Sequence, residues 1–324
     1  MKNLLKSFFS LFVLFAFASC EQENLQLMKT GNMPLADQNI QTDTYTNQNW
    51  MSVLSDATSL SALSIPGTHD SGARYDHPLL SGTAKCQDLS ILQQLQAGVR
   101  YLDIRCRHID DAFAIHHGVV YQNINFNDVL NDCFSFLQSN PDETIVMSVK
   151  EEYDPTNNTR SFEQTFDSYV QQNPSKWYLG AGIPDLGQVR GKIVLLRRFS
   201  ASLLPKGIAA TAWSDNTTFE INNAQAQLKV QDQYQVPDNN SKWNAIENLL
   251  VEASTSASQS RLFLNYTSGY KPGWFGIPDI DAVSDNINPR VRNYFNSQPS
   301  GRYGVVIMDF ADNTLTEPII DTNF

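Results

Sequence analysis

The sequence predicts a single irregular (β/α)8 TIM barrel with parallel strands, and three observations lead there. Short runs rich in Val, Ile and Leu recur across residues 61–310, spaced by segments long enough for helices or crossovers. Most runs are continuously apolar, as strands covered on both faces are. Titratable residues gather where the runs end, and in a closed parallel barrel those ends share one rim. A chain of 324 residues is long enough for one large barrel.

The elements follow in chain order. Lys2 and Lys6 precede the apolar stretch FFSLFVLFAFAS, which has signal-peptide length and is too short to span a bilayer as a mature helix, so residues 1–19 are expected to be a signal peptide. The stretch ends in FASC, which resembles a bacterial lipobox, with Ala18 and Ser19 before Cys20. The expectation is an exported bacterial lipoprotein with Cys20 lipidated, anchored to a membrane on its periplasmic or cell-surface side; an ordinary secreted protein cut near Ala18 is the alternative. Residues 20–49 are polar and aperiodic and read as a flexible tether, leaving residues 50–324 as the barrel.

Eight runs then supply the candidate strands: SALSI, VRYLDIRCR, AFAIHH, TIVMSVKEE, KIVLLRRF, LKVQDQY, RLFLNYTS and YGVVIMDF. Between the third and fourth, FNDVLNDCFSFLQSN sets Val129, Leu130, Cys133 and Leu137 near one helical face, with Pro141 as a stop. SKWNAIENLLVEAS behaves similarly. From Ser200 to Gln227 the pattern is poor, so some crossovers are expected to be loops and the barrel irregular. Beyond Cys20 the cysteines are Cys86, Cys106 and Cys133, which allow at most one internal disulfide and show no zinc spacing.

A net charge of −11, from 23 Lys+Arg against 34 Asp+Glu, excludes a backbone-tracking nucleic-acid binder, because that role needs a basic surface. Any anionic ligand must be met locally. The run ends offer the means: His69 and Asp70, then Asp103 and Arg105, His116 and His117, Lys150, Arg198, Asp232 and Asp309. Histidines, carboxylates and fixed cations on one rim suit proton transfer to and from an anionic substrate such as a phosphodiester. Each also has a plain structural explanation. Asp70 in THDSG is an ordinary turn-former, Asp103 and Arg105 make an unremarkable buried pair, and Glu151 and Glu152 read as a solvated charge cluster. Of adjacent His116 and His117, or Arg197 and Arg198, strand alternation lets only one face inward.

The ordered set LSIPGTHDSGA, YLDIRCR, AIHHGVVY, ETIVMSVKEEY, GKIVLLRRFS, VQDQY and VVIMDF resembles the bacterial phosphatidylinositol-specific phospholipases C, over roughly residues 50–315. The resemblance implies a distorted (β/α)8 barrel that cleaves phosphatidylinositol, and often glycosylated phosphatidylinositol anchors, with no metal or other cofactor. By the same resemblance His69 is the general base on the inositol 2-hydroxyl, oriented by Asp309. His117, assisted by Asp70, is the general acid on the diacylglycerol oxygen. Arg105, steadied by Asp103, grips the phosphate where a calcium-dependent relative needs a carboxylate cluster. Lys150, Arg198 and Asp232 would bond the inositol hydroxyls, with Tyr234 against the ring. Partners are then phosphatidylinositol-type membrane lipids, for a monomer that touches the bilayer through its lipid anchor and the aromatic loop 268–278, with Tyr270, Trp274 and Phe275. A metal-dependent barrel phosphodiesterase and a non-catalytic surface lipoprotein binding inositol or glycan head groups are the alternatives.

Overall fold

The computed structural model describes residues 45–258, 260–273 and 277–324; the expected signal peptide, Cys20, most of the tether, Trp274 and Phe275 lie outside the described residues. In chain order the elements are β1 (Ser64–Thr68), α1 (Ile91–Gln96), β2 (Tyr101–Ile109), β3 (Ala112–His117), β4 (Val120–Asn125), α2 (Phe126–Ser139), β5 (Ile145–Glu151), α3 (Phe162–Val170), β6 (Trp177–Tyr178), α4 (Leu186–Val189), β7 (Ile193–Arg197), β8 (Ile208–Ala209), β9 (Thr217–Asn222), β10 (Gln227–Asp232), α5 (Asn239–Thr255), β11 (Arg261–Tyr266), β12 (Lys271–Pro272), β13 (Pro278–Asp279), α6 (Asp281–Phe295), β14 (Gly304–Met308) and α7 (Asn313–Asp321).

One twelve-stranded sheet runs β6-β7-β5-β2-β1-β14-β11-β10-β9, with β8 also on β7. The parallel wall is β8, β7, β5, β2, β1, β14, β11 and β10. The barrel is irregular. Among the described residues no ladder closes it between β8 and β9, where β9 lies antiparallel on β10 and the Asn223 side-chain amide donates to Ala209 O at 2.6 Å.

All eight predicted runs form strands, with one correction. AFAIHH is no barrel strand; β3 pairs antiparallel with β2 and, on its other edge, with β4. The cause is the connection: only Asp110 and Asp111 separate β2 from β3, both with positive φ (50° and 58°). Such a two-residue link makes a hairpin, whereas a parallel return needs a dozen residues or more. The missing barrel strand is β8, inside the stretch that lacked a pattern, in register with Leu196 and Arg197 of β7.

Alternation along the parallel strands divides the core. Tyr101, Val146, Val194, Leu196, Leu228, Val230, Leu264 and Ile307 fill the barrel interior. Their neighbours Leu102, Ile104, Met147, Val149 and Leu195 pack outward against Val129, Leu130 and Cys133 of α2 and Phe166 of α3. Val306 and Met308 meet α5, α6 and α7. The parity continues past the apolar part, so Asp103, Arg105, Ser148, Lys150 and Arg198 point inward at one end. Arg197 points out and bonds Lys206 O and Phe199 O. The three described cysteines are buried free thiols.

A buried ion pair binds the segment before β1 to the barrel wall. Arg100 is fully buried, with Nε donating to Glu143 Oε2 at 2.7 Å, and its other nitrogens donate to the carbonyls of Leu95, Val99, Asn47 and Gln48. Glu143 also accepts from Met51 N, and Trp50 Nε1 donates to Gly98 O. Ahead of Trp50, Tyr45 stacks on Phe324 with ring centroids 4.2 Å apart. Glu143→Ala, which strands a buried guanidinium, is expected to cost about 3–5 kcal/mol, read as a lowered urea midpoint with an unchanged m-value.

Candidate active site

The inward-facing polar residues surround a cavity of about 320 Å³ lined by His69, Arg105, His117, Lys150, Arg198, Trp213, Asp232, Tyr234 and Tyr270, among others. Asp70, Asp103 and Asp309 stand buried behind that lining. Ten residues expected at the site from sequence, from His69 to Asp309, are therefore brought together.

His69 follows β1 and extends its ladder, donating its backbone N–H to Met308 O at 2.9 Å. The imidazole Nδ1 lies 2.7 Å from Asp309 Oδ1, and Nε2 lies 2.7 Å from Arg105 Nη2. A guanidinium only donates, so the network assigns Nε2 as acceptor and places the ring proton on Nδ1, donated to Asp309. The Nε2 lone pair thereby meets the Arg105 guanidinium at the cavity wall.

Arg105 is held by its own strand. Nε and Nη2 lie 3.2 and 3.1 Å from Asp103 Oδ2, and Nε is 3.7 Å from Asp70 Oδ2. Asp103 also accepts from Ser148 Oγ at 3.3 Å and faces Arg198 Nη1 at 3.6 Å. Burial opposes its charge, but Arg105 and Arg198 prevail and hold the carboxyl well below the usual carboxylate range. Asp103 Oδ2 further accepts the Asp70 backbone N–H at 3.3 Å, and Asp70 takes a left-handed φ of 35°. This folds the chain back so that the Asp70 carboxylate lies beneath His117.

His117 arrives on the β3 hairpin. Nδ1 donates to Ala84 O at 2.7 Å and lies 3.7 Å from Asp70 Oδ2, which leaves Nε2 for the cavity. His116 turns away, buried against Tyr121 with Nδ1 3.3 Å from Gly118 O. Asp70 is fully buried and neither carboxylate oxygen has a hydrogen-bond partner; burial raises its pKa, with Arg105 and the two histidines opposing.

The far wall is cationic and aromatic. The Arg198 guanidinium lies 3.7 Å from the centroid of Trp213, whose Nε1 donates to Asp232 Oδ2 at 2.9 Å. Tyr234 donates to Asp215 Oδ1 at 2.6 Å and its ring lies 6.0 Å from that of Tyr270. Lys150 Nζ sits 2.8 Å from Glu152 Oε2. Burial, with Arg105 and Arg198 nearby, lowers the Lys150 pKa.

Trp213 and Glu152 were missed from sequence. Glu152 is a correction: expected in solvent, it is largely buried, pairs Lys150 and accepts the Gly118 N–H at 3.1 Å. Its parity with Ser148 and Lys150 carried the signal. Trp213 lies in the aperiodic stretch and had none. Burial alone would raise the Glu152 pKa, yet Arg105 and Lys150 take it from 4.5 down to about 2. A depressed carboxylate stabilises the fold above its unfolded pKa and loses that contribution as pH falls through the folded value. Glu152→Gln is therefore expected to be less stable than the parent at pH 7, with the urea-midpoint gap closing as pH drops from 4.5 toward about 2.

Comparison with known proteins identifies the family of the chain. Residues 63–199 match the family model "Phosphatidylinositol-specific phospholipase C, X domain". A 1-phosphatidylinositol phosphodiesterase of Staphylococcus aureus (strain Newman) is 36% identical over 295 residues, covering 85% of this chain and 94% of the relative. A 1-phosphatidylinositol phosphodiesterase of Listeria monocytogenes is 32% identical, covering 86% of each chain. A structure of the Staphylococcus aureus phosphatidylinositol-specific phospholipase C superposes with a TM-score of 0.78 at 34% identity, over 86% of this chain and 98% of that one. With two histidines and an arginine meeting at one rim of the same barrel, the chain belongs to the phosphatidylinositol-specific phospholipase C family.

Proposed function

We propose that this protein cleaves phosphatidylinositol by intramolecular transfer, using two histidines and a guanidinium in place of a metal. The observation that carries the reading is the His69 Nε2 lone pair 2.7 Å from Arg105 Nη2, with Nδ1 tied to Asp309. A proton acceptor and a phosphate-binding cation are thereby held at one point.

In this mechanism the inositol 2-hydroxyl inserts between His69 and Arg105. His69 Nε2 takes its proton as the oxygen attacks phosphorus, and Asp309 stabilises the imidazolium that forms. Arg105 moves onto the non-bridging oxygens and, with Lys150 nearby, neutralises charge that grows in the transition state. Protonated His117 delivers its proton to the diacylglycerol oxygen as that bond breaks, with Asp70 stabilising its charged form. The products are diacylglycerol and inositol 1,2-cyclic phosphate. Because the nucleophile belongs to the substrate, no water has to be positioned in this step. Arg198, Asp232 and Lys150 bond the ring hydroxyls, and Tyr234 lies against its face.

His69→Ala and His117→Ala are each expected to lower the rate on phosphatidylinositol by roughly 10²–10⁴-fold. The parent should show a bell-shaped pH profile and full activity in EDTA. Retained turnover in either variant, or loss in EDTA, overturns the assignment.

The substrate places the protein at a bilayer, to which Cys20 lipidation would tether an exported chain. Two loops at the cavity mouth suit that surface. Ile280 N donates to Gly82 O at 3.0 Å, joining loop 75–82 to residues 277–280. Leu79 is 85% exposed, with Leu80 and Ile277 also exposed. Leu79→Ser/Leu80→Ser is expected to weaken binding to phosphatidylinositol-containing vesicles and slow their cleavage, while turnover of a water-soluble inositol phosphodiester stays unchanged.

A further inference from the structure

We propose that the enzyme carries an inhibitory site for a thiophilic divalent cation of the zinc type, built from Cys86 Sγ, His117 Nδ1 and the Asp70 carboxylate behind the cavity wall. The inhibitory consequence rests on the reading of His117 as proton donor; the binding site does not.

Geometry comes first. Cys86 Sγ lies 3.7 Å from His117 Nδ1 and 3.8 Å from Ala84 O. Asp70 Oδ2 lies 3.7 Å from the same Nδ1, and the three ligating atoms are all within 4.8 Å of one another. Tetrahedral zinc, with sulfur at about 2.3 Å and nitrogen or oxygen at about 2.0–2.2 Å, sets neighbouring ligands about 3.4–3.6 Å apart. The two separations from Nδ1, to Sγ and to Oδ2, are both 3.7 Å and close to those values, and the third pair lies within 4.8 Å. The Ala84 carbonyl faces the same point and can supply a fourth ligand, an oxygen. The thiol is firmly placed, because Cys86 donates its N–H to Ala73 O at 2.8 Å and accepts at its carbonyl from Phe310 N at 2.7 Å.

Asp70 supplies an independent sign of a ligand. Its carboxylate is wholly buried, neither oxygen is hydrogen-bonded, and it points at this cluster. Buried carboxylates normally find partners. A second cluster, Cys86 with His69 and Asp309, is less suited, since Asp309 Oδ1 and His69 Nδ1 already bond each other at 2.7 Å. One sulfur, one imidazole nitrogen and oxygens select zinc, cadmium or cobalt over calcium and magnesium. Access is through the cavity, where the His117 side chain is 23% exposed.

Binding is a ligand exchange without redox change. The cation replaces the Cys86 thiol proton, which leaves to solvent. From the doubly protonated His117 the Nδ1 proton also leaves to solvent, giving up the 2.7 Å bond to Ala84 O, and Nε2 keeps its own. With Nδ1 on the cation, the imidazole can no longer carry protons on both nitrogens and cannot act as the charged donor. Cys86 has no part in the cleavage chemistry and does not line the cavity.

The test uses the full-length chain. Co²⁺ titration should produce a thiolate-to-cobalt charge-transfer band that is absent in Cys86→Ser and Cys86→Ala and kept in Cys106→Ser and Cys133→Ser. Zn²⁺ in modest excess should slow phosphatidylinositol cleavage by roughly tenfold or more, EDTA should restore it, and both Cys86 variants should keep most of the basal rate and lose the zinc sensitivity. No cobalt band, a band that survives Cys86 substitution, or equal zinc inhibition of the Cys86 variants overturns the proposal. A chain inactive on phosphatidylinositol would instead overturn the proposed function, while the cobalt band still decides the cation site.

Discussion

The Asp103 carboxylate is the contact on which the catalytic end of the barrel depends. Its two oxygens face the guanidinium of Arg105 on the same strand, Ser148 from β5, Arg198 from the end of β7 and the backbone N–H of Asp70 after β1. Four chain segments distant in sequence are thereby tied to one buried charge. Such a charge is tolerated only with partners on every side. Among these partners Arg105 is the one proposed to meet the phosphate, so the charge that holds the four segments together also aims that guanidinium.

Much of this was legible from two-residue periodicity. Tyr101, Asp103 and Arg105 share a parity, as do Val146, Ser148, Lys150 and Glu152, so an apolar interior continues as a polar rim. The hairpin was the error, and its signal was present in the two-residue gap IDDA, which is too short for a crossover. Continuous apolar character cannot distinguish a barrel strand from a hairpin arm packed on the same core, and Phe113 and Ile115 are as buried as any wall residue. Trp213 and β8 were illegible for a different reason. They occupy a stretch whose conformation is set by contacts with Arg198, Asp232 and β7, all remote from its own composition.

Charge balance also takes on meaning at the scale of the site. The chain carries a net −11, yet Arg105, Lys150 and Arg198 converge on one cavity with Asp103 and Glu152 interleaved. The anion-binding power is local, supplied by geometry and low solvent access rather than by a basic exterior. The interleaved carboxylates keep three cations from repelling one another before substrate arrives.

The Asp110–Asp111 reversal leads further. It mounts His117 on a projecting arm, while His69 and Arg105 belong to the wall itself. In the proposed mechanism, departure of the lipid oxygen and attack at phosphorus would thus fall to separate mechanical parts. The two parts meet at Asp70, whose carboxylate lies 3.7 Å from both His117 and Arg105, so whatever passes between them crosses a single buried side chain.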